Sequence, residues 1–194
     1  MPGRQVYEKS RTGRRRYGSN YYRYRAQHSE SIRVLFWEYL EWANTKVEEN
    51  FGVSFDIAAM LEKDMESLDK FMPPGGRLLL GYVDEQPMGI ACLKALTESI
   101  GEVKRMYVRP PARKRGLGRA LLDELLEQAG QIGYKRICLD SARFMEDAHR
   151  LYGASRFREI EAYEGSEIPK EFQKNWIFME RELPVKDELV PPHS

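Results

Sequence analysis

The sequence has few of the residues that build metal centres and disulfide frameworks. Its 194 residues include two cysteines, Cys92 and Cys138, and three histidines, His28, His149 and His193. Both cysteines lie in apolar runs, which indicates buried, reduced thiols rather than a disulfide. The scattered histidines do not form a zinc-ligand spacing. We therefore expect no metal site and a reducing, cytoplasmic location.

Long hydrophobic runs and a strong net charge are also absent. No run of 18 apolar residues occurs, so we expect neither a transmembrane helix nor a membrane partner. The formal net charge is +1, with 42% hydrophobic and 31% charged residues. This composition and length are typical of one globular domain with a sizeable core. The net charge of the whole chain argues neither for nor against a nucleic-acid partner.

Acidic residues are nearly missing from the first 25 positions, where eight Lys and Arg residues stand against one Glu. We treat residues 1–19 as a basic Arg/Tyr-rich leader, residues 20–184 as the domain and residues 185–194 as a C-terminal tail. The leader has three interpretations: a solvated segment, a contact for nucleic acid or a membrane surface, or a transit peptide. The transit-peptide interpretation lacks the apolar helical face that such peptides need.

The sequence after residue 19 alternates between strand and helix patterns. The predicted elements include a strand at Asn20–Ala26, helices from Ser29 and over Asp56–Phe71, a hairpin turn at Asp84 and Glu85, a strand at Gly101–Val108 and an amphipathic helix from Leu117. Later segments add the strand KRICLDSA, the helix EDAHRLYGAS and the strands FREIEAY and NWIFMEREL. The order β-α-α-β-β-β-α-β-α-β-β predicts an α/β fold with a mixed sheet.

The most informative segment is RPPARKRGLGRALLDELLEQA, from Arg109 to Ala129. It lacks the G-x-x-x-x-G-K-[ST] phosphate loop, and two prolines and a missing third glycine exclude the dinucleotide fingerprint. A basic, glycine-containing helix start still offers unpaired amides and a favourable dipole to an anion such as a pyrophosphate. The alternative is an ordinary basic helix start.

Three motifs in order resemble the GNAT family of N-acetyltransferases. RKRGLG at Arg113–Gly118 matches the family loop R/Q-x-x-G-x-G/A, and EVKRMYVRPPARKRGLGRALL is similar to its cofactor-binding core. AHRLYGASRF resembles the family segment A-x-x-L-Y-x-x-x-G-F. The resemblance extends from about Tyr21 to Leu183, and it implies a GNAT-like mixed central sheet flanked by helices.

This resemblance implies acetyl-CoA as the acetyl donor and an amine, on a small molecule or a protein, as the acceptor. The pyrophosphate would lie on the loop and helix start, formed by Arg113, Lys114, Arg115, Gly116, Leu117, Gly118, Arg119 and Ala120. The pantetheine arm would pair with the backbone of Met106, Tyr107 and Val108, as a peptide adds to a strand edge.

Two residues are candidates for proton transfer. Tyr152 matches the family tyrosine that protonates or hydrogen-bonds the departing CoA sulfur, and its alternative role is that of a core aromatic residue. Glu102 is the candidate base because it lies six residues before Val108, where some family members carry their general base. Its alternative role is that of a solvated residue at the end of a strand. Alternation would place Glu102 on the face of Met106 and Val108, unless a bulge intervenes. Glu98 is the reserve candidate.

The sequence departs from the family pattern at two positions. Met145 stands where some relatives carry an asparagine that bonds the cofactor arm, and Arg156 replaces the glycine that usually precedes the phenylalanine. Neither change affects the pyrophosphate loop. His149, three residues before Tyr152, could instead serve as an acid or base, but a lone exposed histidine on a helix more often has no catalytic role.

The acceptor cannot be named from these residues. Aromatic and acidic side chains of the first helix suit a cationic amine, Arg77 could meet a carboxylate, and the loop at Glu164–Phe172 is expected to cover the cleft. The competing hypothesis is a CoA-binding regulatory module without turnover that contacts nucleic acid through the leader. A homodimer stays open, and nucleic acid is not the expected partner of the domain.

Overall fold

The predicted order of elements is confirmed in a computed structural model, which describes residues 21–23 and 28–184. The leader, the tail and part of the first predicted strand lie outside these residues. The strands are β1 (Tyr21–Arg23), β2 (Arg77–Val83), β3 (Gln86–Ala95), β4 (Ile100–Val108), β5 (Arg136–Ala142), β6 (Arg158–Ile160) and β7 (Trp176–Glu182). The helices are α1 (Ser29–Phe51), α2 (Ile57–Glu66), α3 (Leu117–Ile132) and α4 (Glu146–Ala154).

The seven strands form one mixed sheet in the order β1-β2-β3-β4-β5-β7-β6. All neighbours are antiparallel except β4 and β5, which run parallel. Pairing between β4 and β5 covers only Ile100–Glu102 against Arg136–Cys138. Within the described part of the sheet, β4 beyond Glu102 therefore has no strand partner on its β5 side, and a gap opens between the two strands.

A β-bulge interrupts β4 at this point. Two residues of β4, Arg105 and Met106, stand opposite the single residue Ala91 of β3, and Arg105 has a φ of 51°. The extra residue reverses the alternation of side chains along the strand. Val103, Met106 and Val108 all pack on the α3 side of the sheet.

Glu102 consequently lies on the opposite face from Met106 and Val108. It pairs with Lys94 on the side of the sheet that α1 covers. The expectation that the three residues share one face was wrong, because the bulge adds one residue between them.

Helices cover both faces of the sheet, and each buries an apolar stripe. On one face α3 contributes Leu121, Leu122 and Leu125, which are fully buried. On the other face α1 contributes Ile32, Leu35 and Phe36, also fully buried. The helical spacing of these apolar residues predicted both helices from the sequence. Their burial packs α1 and α3 against the central strands of the sheet.

Local signals explain where several elements begin and end. The Asp56 carboxylate accepts a hydrogen bond from the Ala59 amide at 3.0 Å and caps α2. Asp84 and Glu85 both have positive φ, as the tight hairpin turn requires. The predicted helix Asp56–Phe71 was too long, because α2 ends at Glu66 and a 3₁₀ turn follows. The strand predicted in FREIEAY is also shorter and covers only β6.

None of the described helices is long and apolar enough to cross a bilayer.

Candidate active site

A cleft of about 800 Å³ occupies the gap between β4 and β5. The start of α3, the first turns of α4 and the middle of α1 form its other walls. Its lining includes Tyr39, Trp42, Arg105, Gly118, Asp140 and Tyr152. The cleft therefore brings the predicted pyrophosphate loop together with the predicted catalytic tyrosine.

The start of α3 presents unpaired backbone amides to this cleft. The first hydrogen bond of the helix runs from the Ala120 amide to the Gly116 carbonyl at 3.0 Å. The amides of Leu117, Gly118 and Arg119 thus have no partner inside the helix. Lys114 and Gly116 adopt positive φ values of 58° and 88°, a backbone pattern that makes anion-binding concavities.

The two loop glycines serve this surface in different ways. Gly116 lies in the left-handed region, with open space where a Cβ would be, so its backbone conformation is what favours glycine. Gly118 has an ordinary φ, and a Cβ there would lie 3.6 Å from the side chains of Leu151 and Val108, which also line the cleft. The loop therefore fits a diphosphate group against its amides.

The Arg113 side chain lies along the cleft wall. Its Nε donates to the Val108 carbonyl at 2.8 Å. Its guanidinium lies 5.3 Å from the Trp42 ring centre and 5.7 Å from that of Tyr107. These contacts tie the loop to α1 and β4. The Leu117 side chain is buried in the core, which leaves its amide as the part that faces a ligand.

Tyr152 lies beside the bulged end of β4. Its hydroxyl donates to the Met106 sulfur at 3.8 Å, a weak contact that a better acceptor can replace. Burial, with a smaller contribution from Tyr39 and Asp140, raises the pKa of Tyr152 above its ordinary value. The phenol therefore stays protonated at neutral pH and is able to donate.

Glu102 lies in a closed cluster of charged groups and does not line the cleft. Its side chain is completely buried, with Lys94 Nζ 3.0 Å from Oε2 and Lys104 Nζ 3.3 Å from Oε1. Tyr163 also donates to Oε1 at 2.7 Å. The carboxylate predicted as a base is thus held by two ammonium groups and a phenol.

Asp140 of β5 is a second carboxylate in this cluster, and it does line the cleft. Its Oδ2 atom accepts from Lys104 at 2.9 Å and from Tyr163 at 3.2 Å. Among the described residues, no side chain or amide donates to its other oxygen, Oδ1. Asp140 therefore lines the cleft with one carboxylate oxygen that has no donor in the described part of the chain, while Lys104 and Tyr163 bridge its other oxygen to Glu102.

Sequence reasoning missed Asp140 because it stands inside an apolar strand segment. The available signal was an acidic residue directly after the apolar run Ile137–Leu139, since a carboxylate in such a strand needs partners. Lys104 is one of them. Burial lowers the pKa of Lys104, but Asp140, Glu102 and Glu167 outweigh this effect and raise it, so Lys104 keeps its charge.

Several further residues that the sequence singled out do not line the cleft. Glu98 is exposed in the loop between β3 and β4, away from the cleft lining. Arg156 adopts a φ of 65°, the left-handed conformation that the family glycine would favour. Arg77 donates to the carbonyls of Pro74 and Gly76. In the loop Glu164–Phe172, Glu167 contacts Lys94 at 2.7 Å.

His149 has a more specific environment than the sequence indicated. Its Nε2 lies 3.2 Å from Oγ of Ser141, which lines the cleft. Ser141 Oγ also lies 3.5 Å from the Met145 sulfur. Burial lowers the pKa of His149, despite an opposing effect of Glu159. Ser141 and a neutral His149 thus lie next to the position where relatives carry the asparagine.

Solved structures share this architecture. The PaiA N-acetyltransferase of Thermoplasma acidophilum, solved in complex with coenzyme A, has a TM-score of 0.67 and 15% identity, covering 86% of this chain and 99% of that one. A GNAT acetyltransferase of Staphylococcus aureus has a TM-score of 0.65 and 22% identity, covering 86% and 100%. At these identities the likeness shows the fold.

Sequence comparison gives the family. An uncharacterized N-acetyltransferase of Schizosaccharomyces pombe is 27% identical over 160 residues, which cover 81% of this chain and 90% of that protein. Human N-acetylaspartate synthetase is 29% identical over 116 residues, which cover 58% of this chain and 38% of that protein. The family model for GNAT acetyltransferases matches residues 30–156, from α1 to the end of α4. The chain is therefore an acyltransferase that belongs to the GNAT acetyltransferase family.

Proposed function

We propose that the protein transfers the acetyl group of acetyl-CoA to a primary amine by direct attack. The observation that carries this proposal is the shared cleft, in which free helix-start amides, a strand edge without a partner, Asp140 and Tyr152 meet. The coenzyme A bound to the Thermoplasma neighbour supports the choice of donor. The names of the sequence relatives support N-acetylation.

Acetyl-CoA supplies a thioester whose carbonyl carbon is the electrophile. In the loop and helix start from Arg113 to Ala120, the amides of Leu117, Gly118 and Arg119 hold the pyrophosphate, because those of Arg113 and Ala120 already donate to backbone carbonyls. The side chains of Lys114, Arg115 and Arg119 add positive charge. Met106, Tyr107 and Val108 offer the backbone groups on the unpaired edge of β4 to the amides of the pantetheine arm. These contacts place the thioester at the bulge, near Tyr152.

The acceptor amine must lose a proton to become a nucleophile. Oδ1 of Asp140 accepts this proton, directly or through a water molecule. Glu102, the base expected from the sequence, acts in this scheme as a positioning residue: it holds Tyr163 and Lys104, which in turn orient Asp140. A new N–C bond forms as the C–S bond breaks.

The departing thiolate needs a proton in return. The Tyr152 hydroxyl donates it, because the phenol is protonated at neutral pH and faces the cleft. A proton from solvent restores the phenol after product release. The amine proton and the thiol proton are thus handled by different residues.

Titration calorimetry of the full chain with acetyl-CoA, CoA and NADH tests the first half of this proposal. We expect saturable binding of acetyl-CoA and CoA and none of NADH. Release of free thiol in the presence of amines tests the second half. Binding without release from any amine would favour the regulatory module, and absence of binding would contradict the loop assignment.

A further inference from the structure

Asp140 and Lys104, which line the cleft, belong to a cluster with negative net charge. Lys94 and Lys104 contact three carboxylates, those of Glu102, Asp140 and Glu167. Two cations against three anions leave one net negative charge. Because Oδ1 of Asp140 has no donor among the described residues, this charge is available to an incoming ammonium group.

A second cluster, with positive net charge, adjoins the bulge. Arg105 Nε lies 2.6 Å from Asp64 Oδ2, and Lys70 Nζ lies 3.3 Å from Asp64 Oδ1. Two cations share this one buried carboxylate, which leaves one net positive charge. Arg105 lines the cleft, and neither of its terminal nitrogens has a hydrogen-bond acceptor within the part of the chain that the structure describes.

Tyr39 of α1 shows that the two clusters border the same space. Burial raises the pKa of Tyr39, while Arg105 lowers it and Asp140 raises it. One phenol, itself in the cleft lining, therefore lies within electrostatic range of both groups. Asp140 and Arg105 line the same cleft as Tyr39, and among the described residues one carboxylate oxygen of Asp140 has no donor and the guanidinium edge of Arg105 has no acceptor.

We propose that the acceptor is a small amine that carries a free carboxylate, of the amino-acid class. Its ammonium group binds Oδ1 of Asp140, and its carboxylate binds the two terminal nitrogens of Arg105, the paired geometry that a guanidinium offers to carboxylates. The left-handed bulge at Arg105 and the Asp64 contact hold the guanidinium in place. This assignment rests on the proposed acetyl transfer.

The charge pattern disfavours the other acceptors that the sequence left open. A lysine side chain or N-terminus of a protein lacks a free carboxylate next to its amine, so it would add no acceptor for the two terminal nitrogens of Arg105. A simple alkylamine also has no carboxylate to bind Arg105. Acceptors of both kinds therefore lack the charge-assisted contact between a carboxylate and Arg105 that an amino acid makes.

Thiol release from acetyl-CoA tests the proposal with matched compounds. The compounds are the common L-amino acids, their carboxamides, the corresponding decarboxylated amines, and short peptides with a free N-terminus and amidated C-terminus. We expect kcat/KM for the best amino acid to exceed that of its carboxamide and amine by about 10- to 100-fold. Equal or faster reaction of the compounds without a carboxylate would overturn the inference and leave acetyl transfer intact. Thiol release with none of the compounds would overturn both.

Variants locate the carboxylate contact. Arg105→Gln should raise KM for the best amino acid by at least about 10-fold, with little change in KM for its carboxamide or in the Kd of acetyl-CoA. Arg105→Lys should restore part of the preference. Arg33→Gln removes an exposed arginine that pairs with Glu62 outside the cleft, and it should change nothing. An unchanged preference in folded Arg105→Gln would overturn the assignment.

Discussion

The Tyr163 hydroxyl lies 2.7 Å from the buried Glu102 carboxylate, although 61 positions separate the two residues. The segment after β6 thereby closes over the cluster on β4 and β5. Burial, together with Asp140 and Glu102, raises the pKa of Tyr163. The hydroxyl remains a donor and keeps the two carboxylates in fixed positions, one inside the protein and one facing the cleft.

Asp140→Asn tests the carboxylate that faces the cleft. The amide keeps the shape of the side chain but cannot accept the amine proton, so we expect kcat/KM to fall by about 10²- to 10⁴-fold. The Kd of acetyl-CoA, measured by calorimetry, should stay within about twofold. Asp69→Asn, at an exposed carboxylate of the 3₁₀ turn, is the matched control. Near-normal turnover in Asp140→Asn would exclude Asp140 as the base.

Tyr163→Phe tests whether the bridge affects catalysis as well as stability. Loss of a buried hydrogen bond to a carboxylate should lower the free energy of unfolding by about 1–3 kcal/mol. If the bridge orients Asp140, kcat should also fall by about 10-fold. Tyr134→Phe removes a 2.7 Å hydrogen bond to the Gly75 carbonyl outside the cleft lining. This control should lose stability and keep kcat, and equal kcat in both variants would make Tyr163 purely structural.

The order of elements could be predicted because local signals agree with the tertiary structure. The apolar stripe of α3, the glycines of its first turn and the hairpin at Asp84 and Glu85 each depend on nearby residues. The pyrophosphate loop depends on the same kind of local signal. These features follow from periodicity and turn chemistry, which act over a few residues, whereas Tyr152 was predicted from the resemblance of its segment to the GNAT family.

The polar centre of the site could not be predicted in the same way. The bulge at Arg105 reverses the side-chain faces, and its position depends on how β4 pairs with β3. Asp140 is in contact with Lys104, 36 positions away, and with Tyr163. The pairing of these buried charges depends on where β4 and β5 diverge. That divergence is a property of the whole sheet, and no short segment determines it.

Tyr152→Phe tests the proton donor. We expect kcat to fall by about 10- to 100-fold. The Kd of CoA should not change, because among the described residues the lost hydroxyl donates only to the Met106 sulfur and lies outside the pyrophosphate loop. Since burial raises the pKa of Tyr152, the wild-type rate should not decline on the alkaline side up to about pH 10. A different result would be a decline of the rate with an apparent pKa near 8 in the wild type and none in Tyr152→Phe. That result would contradict the conclusion that burial raises the pKa of Tyr152.

Gly118→Val tests the pyrophosphate loop. Its φ is ordinary for an L-residue and its Cβ would meet neighbours at normal contact distance, so the fold should persist. The added methyl groups lie in the cleft, and we expect the Kd of acetyl-CoA to rise by at least about 10-fold. Gly130→Val, in the same helix with open space around its Cβ, should leave binding unchanged. Unchanged affinity in Gly118→Val would contradict the loop assignment.

Glu167→Gln tests how the loop after β6 is attached to the charged cluster. Burial alone would raise the pKa of Glu167, but Lys104 and Lys94 outweigh it and lower the pKa from 4.5 to about 2. The carboxylate therefore stabilises the fold above pH 4.5, and this contribution disappears as the pH falls towards 2. Because about half of the side chain is exposed, solvent screening keeps the effect below about 1 kcal/mol.

Urea unfolding across this pH range measures the contribution of Glu167. The difference in unfolding free energy between wild type and Glu167→Gln should be constant from pH 7 to about pH 5.5 and should shrink steadily between pH 4.5 and 2. Glu171→Gln, an exposed glutamate of the same loop, should show no such trend. A difference that grows as the pH falls would mean that burial, and not the two lysines, dominates at Glu167.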